Sequence, residues 1–363
     1  MNKAIRALAL CVGLLAATAA PAQQQRPADD PGGPQSINIL EQTQNDQAAR
    51  QKAQPLNNAP VWRAVNSGEA FFTNLPANEG GVLIQPGGEP WRNLRNGPMT
   101  QGGGWALVGV LVLIAAFYLF RGKIKLGAPP TGRQIERFTL VERVVHWTNA
   151  ICFVLLGLTG IIMLFGKHVL LPVFGYTLFS WLAILSKTSH NFVGPLFAAT
   201  TIVIILTFIR DNFPRAYDWQ WLKSAGGMLS RRGTHVPSHR FNAGEKLMFW
   251  GAVVLLGIVV SVTGFILDFP NYGQTRALMQ NTWWIHVGAA LLFVAVIFGH
   301  IYLGTIGMQG AYDSMRHGYV DETWAREHHE LWYKDIKAGK IPAVRSASPP
   351  DAAPVVPEGA RQA

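Results

Sequence analysis

Four of the ten histidines lie inside or at the mouth of long apolar stretches: His146, His190, His286 and His300. Two of them share one stretch, "WWIHVGAALLFVAVIFGHIYLG" (283–304), fourteen residues apart. An ionisable ring in hydrocarbon is costly, and is kept as a metal ligand, a proton relay or a hydrogen-bonding group. On a helix, fourteen residues span about 21 Å and come within roughly 40° of whole turns. Both imidazoles therefore leave nearly the same helix face, at two different heights.

The elements that must position them are apolar blocks. The chain has 363 residues, 49% hydrophobic and 14% charged, with a formal net charge of +10. The basic residues sit beside the apolar blocks, which is the pattern of a polytopic membrane protein and not of a nucleic-acid binder. The start, "MNKAIRALALCVGLLAATAAPA" (1–22), reads as a signal peptide cleaved after Ala22. Residues 23–103 are rich in Gln, Asn, Pro and Gly and read as an extended, disordered periplasmic arm, with an aromatic patch at Trp62, Phe71 and Phe72. Within it, "GGVLIQPGGEPWRNL" (80–94) reads as Gly/Pro turns.

Five spans follow: A at 105–120, within an extra transmembrane helix over 104–121, then B at 144–165, C at 190–209, D at 247–267 and E at 283–305. The stretch 168–185 is apolar enough for a sixth. With five spans, however, the basic linkers 121–143 and 210–246 and the tail all fall on one side. The positive-inside rule therefore makes 168–185 an interfacial or re-entrant piece, broken by Pro172 and Gly175, with the mature N-terminus periplasmic and the C-terminus cytoplasmic.

This topology sorts the histidines by depth. His190 and His286 fall near the periplasmic side, and His146 and His300 near the cytoplasmic side. Two imidazole pairs on two levels, one partner of each on a shared helix, is what two stacked bis-histidine haems need. Structural zinc wants four donors at one level, and a di-iron site wants carboxylates that the spans lack. Cys11 and Cys152 are the only cysteines, and no C-x-x-C-H is present, so neither an iron–sulfur cluster nor covalently attached haem is supported. Gly157, Gly160, Gly194, Gly264, Gly288 and Gly299 would let a porphyrin approach the backbone, although close helix packing accounts for them equally well. The other histidines, His168, His235, His239, His317, His328 and His329, are expected to be solvated.

"RVVHWTNAICFVLLGLTGI", "HNFVGPLF", "HRFNAGEKLMFW", "WWIHVGAALLFVAVIFGHIY" and "AREHHELWYKDI" together resemble the cytochrome b (gamma) subunit of membrane-bound respiratory formate dehydrogenase, over about 135–340. The resemblance implies an all-α membrane protein: a four-helix transmembrane di-haem cytochrome b core (135–340), to which this chain adds an N-terminal helix and the arm, and a disordered cytoplasmic tail (341–363). It implies two haem b groups, the periplasmic one on His190 and His286 and the cytoplasmic one on His146 and His300. It implies quinone as substrate, bound by Asn242 and Gly244 of the "NAG" motif with His300 close by. Glu245 stands where the family pattern has glutamine, which puts the quinone contact there in question.

The implied partners are the iron–sulfur (beta) subunit and the catalytic molybdenum or tungsten (alpha) subunit of formate dehydrogenase, in the bacterial inner membrane. The chain itself has no residues for chemistry on formate. The cytochrome b subunit of a nickel–iron hydrogenase or of a sulfur-compound reductase shares the di-haem logic. A haem-free channel or transporter with intramembrane histidines is the reading from another class, and lacks a reason for pairing by depth.

Overall fold

The computed structural model describes residues 87–227 and 236–346, with positions 49, 52, 71, 72 and 82–84. The expected signal peptide, Trp62 and most of the expected arm, His235, and tail residues 347–363 lie outside the described residues. The chain divides into two compact units, one of residues up to Gly102 with Phe269–Ile285, the other of Gly103–Asp268 with His286 onward.

In the first unit, β1 (Phe71–Phe72) pairs antiparallel with β2 (Val82–Ile84). Helix α1 (Gly88–Leu94) follows, with Gly87 at its N-cap in the left-handed conformation at φ 78°, which glycine adopts without a Cβ penalty. A π-helical turn, Arg95–Gly102, continues it. Ordered helix therefore begins well before residue 103, where the sequence reading ends the arm. Trp91 meets Trp283 edge-on at 6.0 Å, and the Arg95 guanidinium lies 5.5 and 5.6 Å from the two indoles.

The second unit holds α2 (Gly103–Arg121), β3 (Gln134–Glu136), α3 (Leu140–Val169) and α4 (Leu171–Phe208). Then come α5 (Ala216–Lys223), α6 (Ala243–Met248) running through a π-helical stretch into α7 (Gly257–Asp268), and α8 (Arg276–Tyr302), whose first residues belong to the other unit. Helix α9 (Ala311–Arg316), β4 (Tyr319–Asp321), α10 (Glu322–His328) and α11 (Glu330–Lys337) complete it.

Among the described residues, five helical runs are long and apolar enough to cross a membrane: Gly88–Arg121, Leu140–Val169, Leu171–Asn212, Ala243–Asp268 and Arg276–Gly307. Their apolar windows are only 6% to 28% buried inside the protein. Side chains such as Leu119, Phe120, Phe192 and Leu206 point away from it. Apolar surface on that scale needs a hydrocarbon solvent, so the chain is an all-α integral membrane protein.

The stretch 168–185 is helical apart from Leu170 and a break at Gly175: His168 and Val169 end α3, and Leu171 onward leads into span C. Pro172 sits in the first turn of α4, where a missing N–H costs nothing, and so opens the helix. Gly175, at φ 70° and ψ 175°, is the kink.

Beyond the long helices lies a small packed cap. Strands β3 and β4 pair antiparallel, with Ile135 opposite Val320. Ile135, Val320, Trp324, Ala325, Trp332 and Ile336 form its apolar core. A buried ionic network ties it to the helix ends. Glu142 accepts from Arg240 at 2.7 Å and from Arg345 at 2.8 Å, and Arg240 also pairs with Asp211. Thr139 and Glu142 form a capping box that starts α3. Arg345 and Ser346, expected to open a disordered tail, fold back instead, the Ser346 N–H donating to Glu136 at 2.6 Å.

His329 is another correction, because it is buried and not solvated. Its Nδ1–H donates to the His239 carbonyl at 2.6 Å. Burial, and then the neighbouring Arg137 guanidinium, push its pKa down from 6.5 to about 3. Between those values the unfolded chain holds the extra proton, so this group's contribution to stability is present above pH 6.5 and is lost as pH falls. His329→Asn, whose amide can donate to the same carbonyl, removes that dependence. Between pH 7.5 and 5.5 the wild type should lose about 1.4 kcal/mol more than the variant in denaturant unfolding in detergent. Equal losses would contradict the assignment.

Candidate functional site

The bundle brings the four span histidines together as two facing pairs. His190 on α4 faces His286 on α8, with ring centroids 6.2 Å apart. His146 on α3 faces His300 on α8, also at 6.2 Å. Two metal–nitrogen bonds of about 2 Å plus a half-ring on either side come to about 6 Å, so each gap has the width of one metal ion. Among the described residues, no group of three or more His, Cys, Asp or Glu side chains converges. Each level thus offers two nitrogen donors and no more. A bare tetrahedral metal ion would be left half-coordinated, whereas iron already held by a porphyrin needs only two axial ligands. The buried Nδ1 of His146 has no hydrogen-bond partner, so that ring is not held by protein contacts through this atom.

The spacing between levels is filled by aromatic rings. Phe153, Phe197 and Phe293 each lie seven residues after a span histidine on the same helix, about 10 Å along the axis. Phe153 meets Phe293 at 4.6 Å and Phe197 at 6.1 Å. Phe197 and Phe293 are buried, with Cys152, Ala252 and Leu256, in an apolar layer.

The glycines divide by role. At Gly160 and Gly264 an added Cβ would stand 3.5 Å from Cε1 of His190 and His286 respectively. At Gly194 and Gly299 it would meet nothing within 4 Å. Gly157 lies against Val294.

The histidine partners were not foreseen from the sequence. The Thr159 hydroxyl lies 2.8 Å from Nδ1 of His190, and the Thr263 hydroxyl 2.9 Å from Nδ1 of His286. The available signal was the Thr-Gly dipeptide, which recurs in "LTG" (158–160) and "VTG" (262–264).

The "NAG" corner forms the start of α6. Asn242 is the N-cap, its Oδ1 accepting from the Glu245 N–H at 3.0 Å, while the Glu245 carboxylate accepts from the Asn242 N–H at 2.9 Å. Arg137, also unforeseen, holds the same carboxylate at 2.8 Å. The indole of Trp221 covers Gly244 so closely that a Cβ there would stand 2.6 Å from it. His300 is within electrostatic reach of the Glu245 carboxylate of this corner.

Known proteins can be set beside this geometry. The cytochrome b556(fdo) subunit of formate dehydrogenase from Escherichia coli K12 is 28% identical over 211 residues, 56% of this chain and 93% of that protein. The nitrate-inducible cytochrome b556(Fdn) subunit from the same strain is 28% identical over 209 residues, with the same coverage. The cytochrome b556 subunit from Haemophilus influenzae is 24% identical over 217 residues, 57% of this chain and 86% of that one. The family model for prokaryotic cytochrome b561 matches residues 137–318, half of the chain. The matched residues include all four facing histidines, and the chain belongs to the prokaryotic cytochrome b561 family, which implies haem b.

Proposed function

We propose that the chain is the membrane anchor and electron-transfer subunit of a formate dehydrogenase complex, carrying two haem b groups between a periplasmic iron–sulfur subunit and membrane quinone. The observation that carries this reading is the pair of facing imidazoles repeated at two heights with one shared helix. The names of the relatives supply the complex. Bound between the rings, haem iron supplies one-electron transfer. The chain's own part is to hold the imidazoles, to space the two levels with the Phe153, Phe197 and Phe293 layer, and to keep water out between them.

The excess of Lys and Arg in 121–143 and 210–246 sets the orientation, with His190 and His286 toward the periplasm and His146 and His300 toward the cytoplasm. The helix Gly103–Arg121 lies before the residues matched to the family and brings an exported N-terminus back to the cytoplasmic side. The preceding arm is then left in the periplasm, beside the iron–sulfur subunit and the catalytic molybdenum or tungsten subunit, in the inner membrane.

Full-length protein purified with its complex should hold two haems per chain by pyridine haemochrome assay. His190→Ala and His286→Ala should each remove one haem, and His146→Ala and His300→Ala the other, because one imidazole cannot supply both axial positions. Two haems retained in all four variants would contradict the assignment.

Quinone binding is assigned to the Asn242, Gly244 and Glu245 corner, beside His300. Asn242 spends its Oδ1 on the helix cap and has its Nδ2 donors left for a quinone carbonyl. Glu245 is engaged by Arg137 and by the cap, so its role is to hold the corner's shape and charge. Asn242→Asp keeps the capping oxygen and removes the amide donor. It should lower quinone turnover about tenfold, the worth of one hydrogen bond to a bound group, with unchanged melting temperature and haem content. Unchanged turnover would place the quinone elsewhere.

A further inference from the structure

The two hydroxyls beside the His190/His286 pair have a defined polarity. A threonine hydroxyl has one hydrogen. That of Thr159 is 2.8 Å from the Leu155 carbonyl, and that of Thr263 is 2.6 Å from the Val259 carbonyl, each four residues back on its own helix. With the hydrogen given to the carbonyl, the oxygen can only accept from the facing imidazole. The carbonyls of Leu156 and Val260, beside the same rings, can also only accept. Nδ1 therefore carries the proton in both rings, and the lone pair is left on Nε2, where it would be available to a metal.

The arrangement is built twice. Thr159 on α3 serves a histidine of α4, and Thr263 on α7 serves a histidine of α8. In each case the next residue is a glycine, Gly160 or Gly264, and the imidazole Cε1 lies 3.5 Å from where its Cβ would stand. At the other level one ring lacks such a partner: Nδ1 of His146 is buried without one. The two levels thus present chemically different imidazoles.

We propose that Thr159 and Thr263 are positioning residues that fix the ligating tautomer of His190 and His286 and make that haem the lower-potential one of the two, a role that rests on the haem reading above. An imidazole whose second N–H is donated to an oxygen is a more basic ligand, which favours ferric over ferrous iron. The hydroxyls hold the His190/His286 level down relative to the His146/His300 level, which favours electron flow from the first to the second.

The test is a redox titration of the purified complex, following the b-type absorption bands, for the wild type and for Thr159→Val, Thr263→Val and the double variant. Valine keeps the shape and removes the acceptor. The double variant should raise one of the two midpoint potentials and leave the other in place, with each single variant raising it part of the way. Thr159→Ser and Thr263→Ser should match the wild type. Loss of one haem from the valine variants with both retained in the serine variants supports the same role. Two haems with unchanged potentials in the double valine variant would overturn the proposal, and so would equal loss in the serine variants, which would assign the effect to packing. Wild-type protein without b-type bands would overturn the haem reading and this proposal with it.

Discussion

An imidazole buried among apolar helices must satisfy two ring nitrogens where no water is at hand, and this constraint organises the bundle. At the His190/His286 level one nitrogen of each ring is taken by a threonine hydroxyl, which leaves the other free of it, with the ring centroids 6.2 Å apart. The helices are spaced by that requirement. Helix α8 supplies a ring to each level, so its unbroken run from His286 to His300 fixes the separation of the two sites. Apolar packing then follows from the histidine spacing: a phenylalanine two turns from each ring meets two others at mid-height and fills the layer between them.

Outside the spans the requirement reverses, and charge holds the structure. Glu142, in the first turn of α3, gathers Arg240 and Arg345 from two distant segments, and Arg137, the residue after β3, pairs with Glu245 at the start of α6. A buried carboxylate between guanidinium groups contributes little net stability compared with apolar packing. It does fix register, because any other arrangement leaves a buried charge unpaired. The network therefore sets the angle and height at which α3 and α6 enter the bundle. That in turn places His146 at the level of His300.

Much of this was legible in the residues. Apolar length marked five long helices, and the fourteen-residue spacing of His286 and His300 placed two rings on one face. The partners of those rings followed from depth alone. What the sequence concealed is instructive. The 168–185 stretch is broken at Gly175, as its residues suggest, yet Pro172 occupies a first turn and opens a helix instead of breaking one. His329 looked solvated because its neighbours in sequence are charged. Its burial comes from residues far away, Arg137 and the His239 carbonyl among them. Thr159 and Thr263 were invisible for a related reason. A threonine in a span normally turns its hydroxyl back onto its own helix, and only the opposed imidazole shows that the oxygen has a second task.

The central claim is that each pair of imidazoles holds one iron by two nitrogen ligands. Low-temperature electron paramagnetic resonance of the oxidised, purified complex reads this directly. The account predicts two low-spin ferric species of bis-histidine type, in equal amounts and reduced at different potentials. A single low-spin species, or a high-spin species at stoichiometric amount, would show that at least one facing pair does not ligate iron and would contradict the account.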